Sequence, residues 1–209
     1  DAGGFNRPNL LQARTILLKA GYQYRQGQLY GKNGRAIQFE VLLYQEGAQR
    51  TIMPWVRNLK KLGINVKLRQ VDVSQYMERM RRYEFDVTTL EMPQSLSPSS
   101  EQAQMWSSSA AREFGNYNYA GIQNAAIDAA VQQVIQAPNW EQLILRTRVL
   151  DRLLRAGYYQ ILTYGKNDNW YAYWNMYHQP KVKPKLSLGL DYWWSDPVQA
   201  KKVSQFLGK

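Results

Sequence analysis

Residues 37–90, IQFEVLLYQEGAQRTIMPWVRNLKKLGINVKLRQVDVSQYMERMRRYEFDVTTL, decide the fold. Ile37 to Tyr44 is rich in apolar and β-branched residues over the length of one strand, which predicts a buried strand. Ile52, Val56, Leu59 and Leu62 then form an apolar stripe at helical spacing, and Gly63 supplies the stop. Ile64, Val66, Leu68 and Val71 open an alternating strand. Asp72 is placed to cap a short helix carrying Val73, Tyr76 and Met80, with Gln75 three residues on, and Phe85 to Leu90 reads as a further strand. Strand, helix, strand, helix, strand predicts an α/β lobe.

Working outward, Leu10, Ala13, Leu17 and Ala20 follow Pro8 at spacings of three and four and end at Gly21, so residues 8–20 are expected to be helical. Gly31 to Gly34 is turn-rich. Downstream, residues 91–123 carry Pro93, Pro98 and many serines, with a helical patch only around Glu101 to Trp106. A connector of that length is functional or disordered rather than an ordinary loop. Two helices follow, one lined by Ile127, Val131 and Val134. The other is lined by Trp140, Leu143, Thr147, Leu150 and Leu154, capped by Asn139 and ended by Gly157. Residues 158–164 are a strand candidate. Nine of the 27 aromatic residues lie between Tyr164 and Trp194, and Asp196 with Pro197 opens a last helix with Val198, Val203 and Leu207 on one side. LLKAGY at 17–22 and LLRAGY at 153–158 share only helix-stop chemistry and do not mark a duplication.

The 209 residues are 44% hydrophobic, enough to bury a core, and no window approaches the roughly 20 apolar residues that cross a bilayer. A soluble chain is expected, with any secretion signal removed or upstream. Cysteine is absent, which excludes disulfides and thiol chemistry and suits an oxidising compartment. The net charge of +11 raises a second reading, a basic nucleic-acid or anionic-surface binding protein. The basic residues, among them Arg50, Arg57, Lys60, Lys61, Lys67, Arg69, Arg79, Arg81 and Arg82, are spread over what read as solvated faces, with no dense run.

The chemistry-bearing residues are few. His178 is the only histidine, so neither a histidine metal site nor a Ser-His-Asp relay is favoured, and the carboxylates show no metal-ligand spacing. No catalytic residue, metal or cofactor is assigned. Glu91 and Glu101 flank the long loop as a carboxylate pair a fold could close, although helix capping or a ligand amine accounts for them better. Phosphate-cradling glycine motifs are missing. Trp55 and Trp140 lie on helix stripes and are expected to pack. Trp170, Tyr171, Tyr173, Trp174, Trp193 and Trp194 sit in irregular segments, where packing competes with a cleft wall.

Three stretches carry a resemblance to the oligopeptide, dipeptide and nickel class of periplasmic solute-binding proteins (family 5), in its microcin C and oligopeptide-binding branch. They are AGYQYRQGQLYGKNGRAIQFEVLLY at 20–44, continued by LKKLGINVKLRQVDVSQYMERMRRYEFDV at 59–87; MPQSLSPSSEQAQMW at 92–106, similar to a PQSLSPGNEQ-type segment; and NYAGIQNAAIDAAVQQVI at 118–135, which has Ala125 where the family usually has proline. The resemblance covers residues 8–207 and implies part of a longer protein. Residues 1–163 would be most of the second lobe of a type II periplasmic-binding-protein fold, and residues 164–209 an aromatic-rich segment and helix returning to the other lobe.

The implied function is the substrate-binding component of an ABC importer. It would capture peptides or peptide-like compounds in the periplasm between two lobes and deliver them to a permease in the inner membrane, with no nucleic-acid partner. The first lobe would come from the N-terminal part of the same protein, within one chain or as a separate chain. The wider class has an aspartate after the strand ending near Leu90, and Ser95 falls about there, so Glu91 and Glu101 become the candidates for a ligand amine. Gln94, Ser95 and Ser97 are candidates for ligand backbone, and Trp106, Asn118 and Tyr119 for the pocket wall.

Overall fold

The structure, a computed structural model, describes residues 7–163, 165, 170–185 and 187–208. The chain divides into two compact units, Asp1–Gln160 and Ile161–Lys209.

The first unit is built on three parallel strands, β3 (Gln38–Leu43), β4 (Asn65–Gln70) and β5 (Val87–Thr88), in the order β4-β3-β5. Helices α2 (Ala48–Lys61) and α3 (Val73–Arg81) make the crossovers. The chain steps from β3 to β4 on one side and returns to β5 on the other. Right-handed crossovers in opposite directions therefore put the two helices on opposite faces. Phe39 meets Trp55 of α2 on one face (ring centroids 5.9 Å apart), while Leu42 packs with Tyr76 and Met80 of α3 on the other. Val41, Leu42 and Leu43 are consequently buried whichever face they point to, as a central parallel strand requires. Asp72 caps α3 by accepting the Gln75 N–H at 2.9 Å, as its position predicted.

The strand expected over 85–90 shrinks to two residues. Asp86 Oδ2 accepts the Glu40 N–H at 2.8 Å, and Thr88 Oγ1 donates to the Leu42 carbonyl at 2.9 Å, so side chains take up part of the ladder. Of the α3 residues Val73, Tyr76 and Met80, the last two are buried and Val73, at the first turn, is 59% exposed.

Helix α1 (Arg7–Lys19) and the hairpin β1 (Gln23–Arg25) and β2 (Gln28–Tyr30) precede the sheet. The hairpin seats on Gly63, whose carbonyl accepts the Leu29 N–H at 2.9 Å. After β5 come α4 (Glu101–Trp106), α5 (Ala125–Ile135) and α6 (Trp140–Ala156). Trp106, Ile122, Ile127, Ala130, Val131, Val134 and Leu150 bury a second core there. Asn139 caps α6 through the Gln142 N–H at 2.9 Å. Trp140 is 58% exposed, against expectation, because the stripe's first member lies at the helix end and nothing in the unit covers it.

In the second unit, β6 (Tyr177–His178) pairs antiparallel with β7 (Trp194–Ser195), and α7 (Pro197–Phe206) follows. Asp196 caps α7 through the Val198 and Gln199 N–H groups at 2.8 and 3.0 Å. The expected apolar side of α7 buries none of its residues. Tyr171, Tyr173 and Trp193 cluster, with Tyr171 stacked on Tyr173 and Trp193 edge-on to Tyr173 at 4.9 Å, whereas Trp170 is almost fully exposed. His178 lies 3.7 Å from Asp196, the contact of an exposed hairpin. Of the 158–164 strand candidate, residues 158–163 form no strand, and Tyr164 lies outside the described residues.

Candidate functional site

In open parallel sheets the ligand crevice lies beyond the carboxyl ends of the strands, where the crossover direction reverses and neighbouring helices leave to opposite faces. In the first unit that point is between β3 and β5. Tyr44 and Gln45 continue from β3; Thr89, Leu90 and Glu91 continue from β5. Tyr44 and Tyr76 approach with ring centroids 4.4 Å apart, and the Tyr76 hydroxyl sits 3.0 Å from both Thr88 Oγ1 and the Thr89 carbonyl. Burial pushes the Tyr76 hydroxyl above its usual value of 10.0, so it stays a neutral donor and holds the start of the 89–91 stretch. On the β4 side, Gln49 Nε2 donates to Gln70 Oε1 at 3.1 Å. Glu91 is exposed and has no hydrogen-bond or ion-pair partner among the described residues.

Five of the residues singled out from the sequence meet in one network. Trp106 Nε1 donates to Gln102 Oε1 at 3.0 Å, and Gln102 Nε2 donates to Gln94 Oε1 at 2.8 Å and to Glu101 Oε1 at 3.3 Å. Ser95 Oγ reaches the same Glu101 oxygen at 3.5 Å, and the Ser99 N–H donates to it at 2.9 Å. The Ser97 N–H donates to Ser95 Oγ at 3.2 Å. Glu101 is thus the hub of the loop, and Glu91 shares none of its partners. Burial alone would raise the Glu101 carboxyl, but the bonds from the Ser99 N–H, its own N–H, Gln102 and Ser95 outweigh it and bring it below the usual 4.5.

A carboxyl whose value is lowered on folding adds stability above its unfolded value and loses it as pH falls through the folded one. The Ser99 amide resonance should therefore shift with a midpoint below 4.5, and Glu101→Gln should abolish that titration. A midpoint at or above 4.5 would contradict the network.

Asn118 is buried and used up inside the protein. Its Nδ2 donates to the Ser107 and Ile122 carbonyls at 2.9 and 3.0 Å, and its Oδ1 accepts the Ile122 N–H at 2.9 Å. Trp106 is likewise buried, in the second core. Tyr119 packs beside Leu42, Tyr76 and Met80, and burial raises its hydroxyl. The Tyr83 hydroxyl donates to the Asn118 carbonyl at 2.7 Å, which ties α3 to this loop.

Tyr44, Gln45, Gln49, Gln70, Tyr76 and Thr89 were not singled out as site residues from the sequence. Their available signal was position, since all but Tyr76 end or follow a strand or open the next helix. Among the described residues no group of three or more His, Asp or Glu side chains is placed to hold a metal ion.

A family model described as bacterial extracellular solute-binding proteins, family 5 (middle), matches residues 2–114. The chain is 41% identical over 191 residues to a probable peptide-binding protein YejA of Agrobacterium fabrum, covering 90% of this chain and 31% of that protein. It is 33% identical over 199 residues to the peptidoglycan-binding protein YepA of the same organism, covering 95% and 32%. The chain thus spans about a third of the length of these relatives. Among solved structures, the oligopeptide-binding protein AppA of Bacillus subtilis, in complex with a nonapeptide, aligns with a TM-score of 0.69 at 18% identity, covering 93% of this chain and 40% of that one. DppA of Helicobacter pylori, in complex with the peptide STSA, aligns at 0.56 and 18% identity, covering 72% and 29%.

Proposed function

Because this chain belongs to family 5 of the bacterial extracellular solute-binding proteins, we propose that it is the greater part of one lobe, with a return segment, of the substrate-binding component of an ABC importer. Its fold is that of the type II periplasmic binding proteins, represented here by part of the molecule. The ligand of the whole protein is a short peptide or peptide-like compound, a class common to the peptide and the peptidoglycan named for its relatives. Binding takes place in the periplasm, without catalysis, and the closed form is delivered to an inner-membrane permease. The N-terminal part of the protein contributes the opposing lobe, and residues 164–209 run back towards it.

The observation that carries this reading is the exposed carboxylate of Glu91, without a hydrogen-bond or ion-pair partner among the described residues, just past the point where β3 and β5 diverge. A peptide lying in an extended form along 89–91 places its amino group at Glu91 and its backbone against Ser95 and Ser97. Gln94 and Glu101 hold that loop in shape, and Tyr44 and Tyr119 close the wall behind it. A charge-paired amine left without its partner costs roughly tenfold or more in affinity. In calorimetric titrations of the full-length protein, Glu91→Gln should weaken peptides with a free amino terminus by that factor and leave N-acetylated peptides unchanged. Equal losses for both would remove Glu91 from the amine site, and an absence of peptide binding by the wild type would remove the reading itself.

A further inference from the structure

The charge of this chain is segregated. Residues 7–71 hold twelve of its 27 basic residues against only Glu40 and Glu46, whereas residues 72–123 carry more acidic than basic groups. Four of the twelve lie on α2, which has no acidic residue at all. Arg50, Arg57 and Lys61 follow at spacings of seven and four, a line along the outer face, with Lys60 beside them. Arg50, Arg57 and Lys60 are exposed and have no acidic partner among the described residues, while Arg69, Arg79, Arg82 and Arg155 are all ion-paired. The hairpin seated on Gly63, just past the end of α2, continues the surface with exposed Arg25, Lys32 and Arg35.

Local stability does not account for this. Lys60 and Lys61 suit a helix C-terminus, but Arg50 sits in the first turn, where the helix dipole disfavours a cation, and Arg57 repels Lys60 and Lys61 one turn on. Eleven helical steps from Arg50 to Lys61 make the stripe about 17 Å long. Its exposed side chains offer charge and no apolar wedge, which suits a flat anionic surface rather than insertion. For a protein of an extracellular family, the extended anionic surface at hand is the headgroup layer of a bilayer.

We propose that the outer face of α2 and the β1–β2 hairpin form an electrostatic docking surface for anionic phospholipid headgroups, separate from the ligand crevice. Each basic residue near such a surface multiplies partitioning roughly fivefold, and salt screens the effect over about 10 Å at 0.1 M.

The test is co-sedimentation of the full-length protein with vesicles of phosphatidylglycerol and phosphatidylcholine (3:1) or of phosphatidylcholine alone, at low and near-physiological salt. The protein should pellet only with the anionic vesicles, less so at the higher salt, and inorganic phosphate at the same ionic strength should not displace it. Arg50→Glu/Arg57→Glu/Lys60→Glu should lower partitioning at least tenfold with its thermal transition retained. The matched reversal Arg148→Glu/Arg152→Glu/Lys201→Glu, equal in net charge, should lower it far less. Equal losses in the two triple variants would show a net-charge effect and overturn the assignment, as would failure of the wild type to pellet at low salt. Tighter retention of duplex DNA than of anionic vesicles at the higher salt would replace the lipid by nucleic acid.

Discussion

Asn118→Ala should lower the unfolding free energy by about 3–5 kcal/mol, the largest effect expected of a single side chain here. The amide satisfies the Ile122 N–H and the carbonyls of Ser107 and Ile122, and Ile122 itself is 1% exposed. Truncation leaves these groups in a space too dry to rehydrate them freely, and each buried group without a partner costs about 1–3 kcal/mol. The same three bonds join the end of the α4 segment to the start of α5, so the second core loosens with them. Asn118→Asp keeps the acceptor but sets a carboxylate against two carbonyls and should be no better tolerated. Urea unfolding followed by circular dichroism measures both. A loss for Asn118→Ala under about 1 kcal/mol, the worth of one ordinary hydrogen bond, would mean that water replaces the amide.

Gly63→Ala should cost about 2–4 kcal/mol, from backbone conformation and from overpacking together. Gly63 has φ +75°, and a Cβ there would lie 2.7 Å from the Leu29 nitrogen and 2.9 Å from the Gln28 carbonyl carbon. Those are backbone atoms, so the whole hairpin would have to lift off the turn that joins α2 to β4. Gly47 supplies the control: its φ is +85°, but nothing lies within 4 Å of the added atom. Gly47→Ala should therefore cost only the left-handed conformation, about 1–2 kcal/mol. Equal losses at the two glycines would show that the hairpin does not rest on Gly63.

These two sites illustrate how unevenly the sequence announces its structure. Gly63 is legible as a helix stop from the apolar stripe before it, but the hairpin that makes it irreplaceable arrives from 34 residues upstream, at Leu29. Asn118 reads from sequence as one polar loop residue among many. Its partners at 107 and 122 are chosen by how the loop folds over the second core, and no local spacing encodes that choice. The network around Glu101 is an intermediate case. Gln94, Ser95, Ser97 and Glu101 stand close in the sequence and were singled out together, yet that they bond to one another follows only from the turn that opens α4.

The point where β3 and β5 diverge was the least legible part. Tyr44 just past a strand and Tyr76 in a helix are 32 residues apart, and their contact exists because α3 crosses β3 to reach β5. The misjudged burial of Trp140 has the same origin: periodicity identifies a helix face, but whether the first turn of that face is covered depends on its neighbour. Likewise, Asp86 reads as part of a strand, while its capture of the Glu40 N–H, which shortens β5, requires the two segments to be paired already.

By itself, then, the sequence determined the order of helices and strands over residues 37–90, the caps at Asp72, Asn139 and Asp196, the α/β class and, through its motifs, the family. These rest on spacing within one or two helical turns, where backbone geometry alone relates the residues. Only the tertiary structure decided the β4-β3-β5 order, the contact of Tyr44 with Tyr76, the burial of Trp106 and Asn118, and the exposure of Arg50, Arg57 and Lys60 on α2. Each of these depends on which distant segments meet, a matter settled by burial and by the handedness of the crossovers rather than by neighbours along the chain.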